Sequence, residues 1–222
     1  MHVSKIFSLR RQGLVEEAYE AARNLYAVDK SIDATVAMFW AATDALKIRV
    51  NDERLAEAEK IYGALERLLT RADDENGWMH DAMKRNLALL KQGRNREELA
   101  TNGPLHIRTG IWGERLAVSY LRDNGYVILE RDWHSKHRDI DIIAQDGDVI
   151  VFVEVKTRRN RDIVEPETAV NYQKLKNLSL AINHYVHSKH IDNPWRFDVI
   201  TVVGSLGSSN PELQHIKDFR IM

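Results

Sequence analysis

Four side chains hold most of the chemistry this sequence can do. Asp139, Asp141, Glu154 and Lys156 lie in Asp139-Ile140-Asp141-Ile142-Ile143-Ala144-Gln145-Asp146-Gly147-Asp148-Val149-Ile150-Val151-Phe152-Val153-Glu154-Val155-Lys156. Asp146-Gly147 between two apolar runs is a hairpin signal. With those two residues as the turn, Gln145 faces Asp148, Asp141 faces Phe152 and Asp139 faces Glu154. Facing residues share one side of a sheet, so Asp139, Asp141, Phe152, Glu154 and Lys156 are expected together. Ile140, Ile142, Val149, Val151, Val153 and Val155 then form a purely apolar opposite face. Three carboxylates at one end of such a unit repel unless compensated. A hard cation such as Mg²⁺ compensates them, with an Asp from one strand and a Glu from the next converging on one ion. The plain alternative is an exposed sheet edge making surface ion pairs around Asp139 and Lys156. The nine histidines are scattered. His134 and His137 fall in an expected loop, as phosphate contacts or nothing.

These residues need a frame. Gly110 to Leu121 reads as a helix that Asn124-Gly125 stops, followed by a strand over Tyr126–Glu130. Strands over Ile140–Ala144 and Val149–Val155, a helix over Thr168–His187 and a strand over Phe197–Val203 complete an α/β half. Residues from about 5 to 100 lack proline and are rich in Ala, Leu, Glu, Arg and Lys, which predicts packed helices. Apolar stripes recur at helical spacing in Leu14–Leu25, Val36–Leu46 and Leu55–Leu69. A weak echo links Arg11-Gln12-Gly13-Leu14-Val15-Glu16-Glu17-Ala18, Asn51–Ala58 and Lys91–Glu98, an offset of roughly 40 residues that suits helical-hairpin repeats. It loosely resembles a tetratricopeptide solenoid; an ordinary helical bundle is the alternative. Either offers a surface for a protein partner and no catalytic set. The polar stretch from Gly93 to Pro104 reads as the boundary, giving an all-α domain over 1–100 and an α/β domain over 107–222.

Composition narrows the classes. The 222 residues are 44% hydrophobic and 29% charged, enough to bury real cores, and 32 Lys+Arg against 33 Asp+Glu excludes a strongly basic histone-like binder. Nucleic-acid contact must come from a local patch. Without cysteine there are no disulfides, thiolate zinc sites, iron–sulfur clusters or thiol nucleophiles. The N-terminus lacks an apolar core of signal-peptide length and no later run spans a bilayer, so a cytoplasmic location with no membrane contact is expected.

Over about residues 107–220 the chain resembles the YraN family of predicted endonucleases, Holliday junction resolvase-like members of the PD-(D/E)XK nuclease superfamily. Gly110-x-x-Gly113-Glu114-x-x-Ala117 is similar to the opening helix, and Asp139–Ala144 and Val151–Arg158 to the two acidic strands. Pro166-Glu167-x-Ala169-Val170 leads to a helix carrying Lys174, and Arg196–Ile200 is similar to a later core strand, with His215–Phe219 as a shortened final one. The resemblance implies that Asp141 and Glu154 bind Mg²⁺ or Mn²⁺, that Lys156 positions or activates the attacking water, and that Glu114 completes the site. A metal there would polarise the phosphate while Lys156 offsets charge developing on it. Two departures stand out. Arg138-Asp139 replaces the Gly-Glu of many relatives, and the helical half is an addition.

Arg108, Arg115, Arg131, Lys136, Arg138, Arg158, Arg159 and Arg161 surround the acids in sequence and, with Lys174, are expected to neutralise phosphates. Trp133 either stacks on a base or packs in the fold. The expectation is a metal-dependent endonuclease acting on DNA, branched or structured, in repair or recombination. A homodimer is implied by its resolvase-like relatives, and the helical domain is expected to recruit a partner. The rivals are a non-catalytic nucleic-acid-binding scaffold with the same fold and an RNA-processing nuclease.

Overall fold

The computed structural model describes residues 2–72, 74–135, 138–159 and 172–219. The chain divides into two compact units, Met1–Glu97 and Glu98–Met222. The first is helical: α1 (Val3–Arg11), α2 (Val15–Val28), α3 (Ile32–Asn51), α4 (Leu55–Leu69) and most of α5 (Trp78–Asn102). Its centre is α3, whose Ala34, Ala37, Phe39, Ala42, Ala45 and Leu46 are buried. Small alanines let α1, α2 and α4 close around it. Two of the three echoed segments are turns, between α1 and α2 and between α3 and α4. The third, Lys91–Glu98, lies inside α5. That segment has no proline, and five of its eight residues are Lys, Arg or Glu, so helix propensity carries it through. The same continuity carries helix through Asn102 in the polar stretch read as a boundary.

The second unit is an open mixed sheet between two helices. Its elements are α6 (Leu105–Asp123), β1 (Val127–Ser135), β2 (Arg138–Asp146), β3 (Val149–Arg158), α7 (Tyr172–Lys189), β4 (Trp195–Val203) and β5 (Glu212–Ile216). The strand order is β1-β2-β3-β4-β5, with only β3 and β4 parallel, joined through α7. Ala117, Val118 and Leu121 of α6 pack on Ile142, Ala144, Val151, Val153, Ile200 and Val202. Leu178, Ala181, Ile182 and Tyr185 of α7 pack on Ile143, Ile150, Phe152, Phe197 and Val199. Alternation along β3 therefore feeds two cores. Among the described residues no helix is long and apolar enough to cross a membrane.

Three expectations change. The hairpin turn is Gly147-Asp148, with Asp146 opposite Val149. Gly147 has φ +58°, the left-handed geometry a primed turn demands at its first central position. The register moves by two residues, which preserves parity, so Asp141 and Glu154 keep a common face. Ile140 does not join Ile142; it packs with Ile143 and Phe152. Backbone pairing of β2 with β3 ends at Ile142 and Val153, and beyond it strict alternation lapses. His134 is in a strand, since β1 runs to Ser135, and it pairs with Asp132 at 3.1 Å. Of the two readings of Trp133, the contacts favour packing: it lies edge-on against Tyr185 at 5.3 Å and beside His184.

Candidate active site

Where β2 and β3 part, side chains take over from the main chain. Asp141 Oδ2 accepts the Val155 N–H at 2.7 Å, replacing a ladder hydrogen bond just past the last paired residues. Glu154 sits between Val153 and Val155 in β3, and only 2% of it is exposed. A carboxylate so buried needs compensation. Lys156, two residues along the same strand, and Lys174, on the first turn of α7, both donate to Glu154 Oε1.

The helix α6 closes the other side. Gly113 lies so close to β3 that a Cβ there would stand 2.0 Å from Thr157 Oγ1, which only glycine permits. This approach carries Glu114 to the acids. Leu105, His106, Thr109, Gly110 and Glu114 of α6 line a cleft of ≈ 620 Å³ with Asp141, Glu154, Val155, Lys156, Thr157, Arg158, Arg159 and Lys174.

The charges are strongly coupled. Burial, then the charges of Glu154 and Glu114, push the Asp141 carboxyl well above the usual carboxylate range, and the Val155 N–H only partly offsets this. Burial lowers the Lys156 ammonium against the pull of Glu154. For Lys174 burial acts in the same sense, but Glu154 outweighs it and holds the ammonium above the ordinary lysine value. Among the described residues no three His, Asp or Glu side chains form a group that holds a metal by themselves. The acids come as the pair Asp141 and Glu154 with Glu114 in electrostatic reach. That donor set fits a hard cation such as Mg²⁺, which takes one or two carboxylates and keeps waters or phosphate oxygens in its remaining positions.

The expected residues therefore divide. Asp141, Glu154, Lys156, Glu114, Lys174, Arg158 and Arg159 meet at the cleft; Asp139, Arg108, Arg115, Arg131 and Arg138 are not among its lining. Asp139 is exposed opposite His134 in β1. Lys136, His137, Arg161 and the Pro166–Val170 motif lie outside the described residues. Sequence reasoning missed His106 and Thr109. Starting the helix at Gly110 hid them, whereas a start at Leu105 puts His106, Gly110 and Glu114 at four-residue spacing on one face.

A second cluster, also missed, ties the strands together. Fully buried Asp198 of β4 accepts Arg196 Nε at 3.0 Å, the Asp218 N–H at 2.9 Å and pairs with His215 Nε2 of β5 at 2.9 Å. Arg196 reaches on to Asp146 and the Tyr126 hydroxyl, each at 2.9 Å. Burial acts to raise the Asp198 carboxyl, but these partners hold it below the usual value.

The profile of the uncharacterised protein family UPF0102 matches residues 113–202. That span contains Glu114, Asp141, Glu154, Lys156 and Lys174 and leaves His106 and Thr109 outside. Among curated relatives, a UPF0102 protein of Bacteroides thetaiotaomicron is 42% identical over 113 residues, 51% of this chain and 92% of the relative. One of Syntrophomonas wolfei is 43% identical over 108 residues, 48% of this chain and 92% of the relative. One of Geotalea uraniireducens is 43% identical over 110 residues, 49% of this chain and 86% of the relative.

Proposed function

We propose a metal-dependent endonuclease activity for this chain, which belongs to the YraN-like UPF0102 family, with DNA as the substrate and phosphodiester hydrolysis as the reaction. The observation that carries this reading is the convergence of Asp141 and Glu154 from adjacent strands, beside Lys156, in a cleft also lined by Arg158, Arg159 and Lys174. Acids alone would suit a structural ion, and cations alone a passive anion site. The two together suit a reaction in which a metal and a phosphate must meet.

Asp141 and Glu154 would hold Mg²⁺ or Mn²⁺, with Glu114 adding negative charge from α6. A divalent ion bound there supplies Lewis-acid polarisation of the scissile phosphate and a water of lowered pKa. The protein's own groups do the rest. Arg158 and Arg159 receive the phosphates on one lip of the cleft. Lys156 Nζ, fixed by its strand beside Glu154, orients the attacking water and offsets the charge that builds on the phosphoryl oxygens. Its burial-lowered pKa favours passing a proton within the site. Water adds to phosphorus, the P–O bond to the leaving sugar breaks, and the leaving oxygen takes a proton.

Within this reading the protein acts in the cytoplasm in DNA repair or recombination. Its helical unit recruits a protein partner, and two copies assemble as a homodimer on a branched substrate. The test is a labelled panel of single-stranded, duplex, flapped and four-way DNA with matched RNA, incubated with Mg²⁺ or Mn²⁺ and with EDTA. Metal-dependent cleavage of DNA supports the reading. Cleavage confined to RNA replaces the substrate, and tight binding with no cleavage anywhere favours a scaffold that keeps the fold.

A further inference from the structure

One oxygen, Glu154 Oε1, receives two ammonium groups, and the two lysines are not equivalent. Lys156 rises from β3 two residues beyond Glu154, on the same face of a central strand, and its side chain is 13% exposed. Its place is set by the sheet. Lys174 comes from the third residue of α7, its side chain is 40% exposed and it lines the cleft. Rotation about its side-chain bonds carries the ammonium from Glu154 into the cleft without moving the backbone. Two like charges on one acceptor also repel, so the more mobile of the pair is the easier to displace. A divalent ion needs that same carboxylate, and an ammonium already held on it opposes a second cation there.

We propose that Lys174 is an exchangeable counter-ion of Glu154: it competes with the divalent cation for the carboxylate and, once displaced, delivers its ammonium to a substrate phosphate beside Arg158 and Arg159. This rests on the metal-site reading above and extends it. Lys174 keeps the acids compensated before the metal enters. Afterwards it ties metal binding to phosphate binding, because each arriving ion frees one cation for the nucleic acid. Metal and nucleic acid therefore bind cooperatively through this residue. Lys174 is a positioning residue on this account until phosphate arrives.

The direction of one affinity tests it. Mn²⁺ is titrated into the full chain without nucleic acid, and the free ion is read by electron paramagnetic resonance. Wild type, Lys174→Met, Lys174→Arg and Glu154→Gln are compared, with circular dichroism checking the fold. Loss of the competitor in Lys174→Met should tighten Mn²⁺ binding several-fold; Lys174→Arg should stay near wild type, and Glu154→Gln should lose the site. Damage to a merely structural contact would weaken binding instead. Mn²⁺ should also strengthen binding of a labelled oligonucleotide, read by anisotropy extrapolated to zero time, in wild type more than in Lys174→Met. If Lys174→Met does not fold, Lys174→Gln takes its place under the same criterion. A folded variant that binds Mn²⁺ no more tightly than wild type overturns the exchange and leaves the metal site standing. A wild type with no Glu154-dependent Mn²⁺ binding overturns both.

Discussion

At the residue scale, the site depends on two carboxylates kept close at an electrostatic cost. Asp141→Asn keeps an oxygen for the Val155 N–H and removes a charge that burial, Glu154 and Glu114 all oppose. The variant should melt no lower than wild type in EDTA, and should lose metal-dependent cleavage by about a hundredfold or more. Differential scanning calorimetry beside a cleavage assay checks both halves. A large fall in melting temperature would mean that the carboxylate is structural. Asp141, Glu154 and Lys156 were legible because charged residues in Val- and Ile-rich strands are out of place, and parity alone puts them on one face. His106 was missed because Gly103-Pro104 was read as the end of a boundary, although it also marks the start of the helix that brings His106 to the cleft.

Elements set the distances. The hairpin expectation survived an error in its turn because a two-residue slip leaves every side chain on its face. The assignment of Ile140 failed because alternation assumes a continuous ladder, whereas here the Asp141 side chain takes a main-chain partner. Contact between α6 and β3 was invisible in the sequence, although it depends on one glycine. Gly113→Ala would gain helix propensity, yet its methyl meets Thr157, including the branched Cβ at 3.1 Å. Overpacking should win, with a loss of roughly 1–3 kcal/mol in urea unfolding. Unchanged stability would show that α6 has slack there, and with it Glu114.

The β4–β5 pairing makes a prediction in pH. Asp198 is held below the usual carboxyl value, so its contribution is fully present above the unfolded pKa of ~3.9 and is lost as pH falls through the lower folded value. Asp198→Asn should cost about 3 kcal/mol near neutral pH by leaving Arg196 and His215 short of their anion. It should also flatten the acid side of the stability profile. Denaturant melts from pH 7 down to pH ~2 check this, and parallel profiles for the two proteins would contradict it. The sequence hid this cluster because its members, Tyr126, Asp146, Arg196, Asp198 and His215, come from four separated stretches.

At the scale of the whole molecule, two kinds of core share one chain. The division was legible in the change from 3.6-residue to two-residue periodicity, while its exact place was not, since α5 runs on through the polar stretch. The relatives are nearly covered by a segment that is half of this chain, 92% of the Bacteroides thetaiotaomicron protein against 51% here. A fragment from Gly103 onward should therefore fold cooperatively and keep Glu154-dependent Mn²⁺ binding, read by calorimetry and metal titration. A fragment that unfolds without a transition would show that the helical unit is part of the same cooperative structure.

The central claim is that Asp141 and Glu154 carry a metal-dependent hydrolysis, and a side-by-side cleavage assay tests it most directly. Wild type, Asp141→Asn and Glu154→Gln, each shown to be folded, are incubated with one labelled four-way DNA in Mn²⁺ and in EDTA. Cleavage by wild type in Mn²⁺ alone, lost in both variants, is the predicted result. Equal cleavage by all three proteins, or none by wild type under conditions where it binds the DNA, would contradict it.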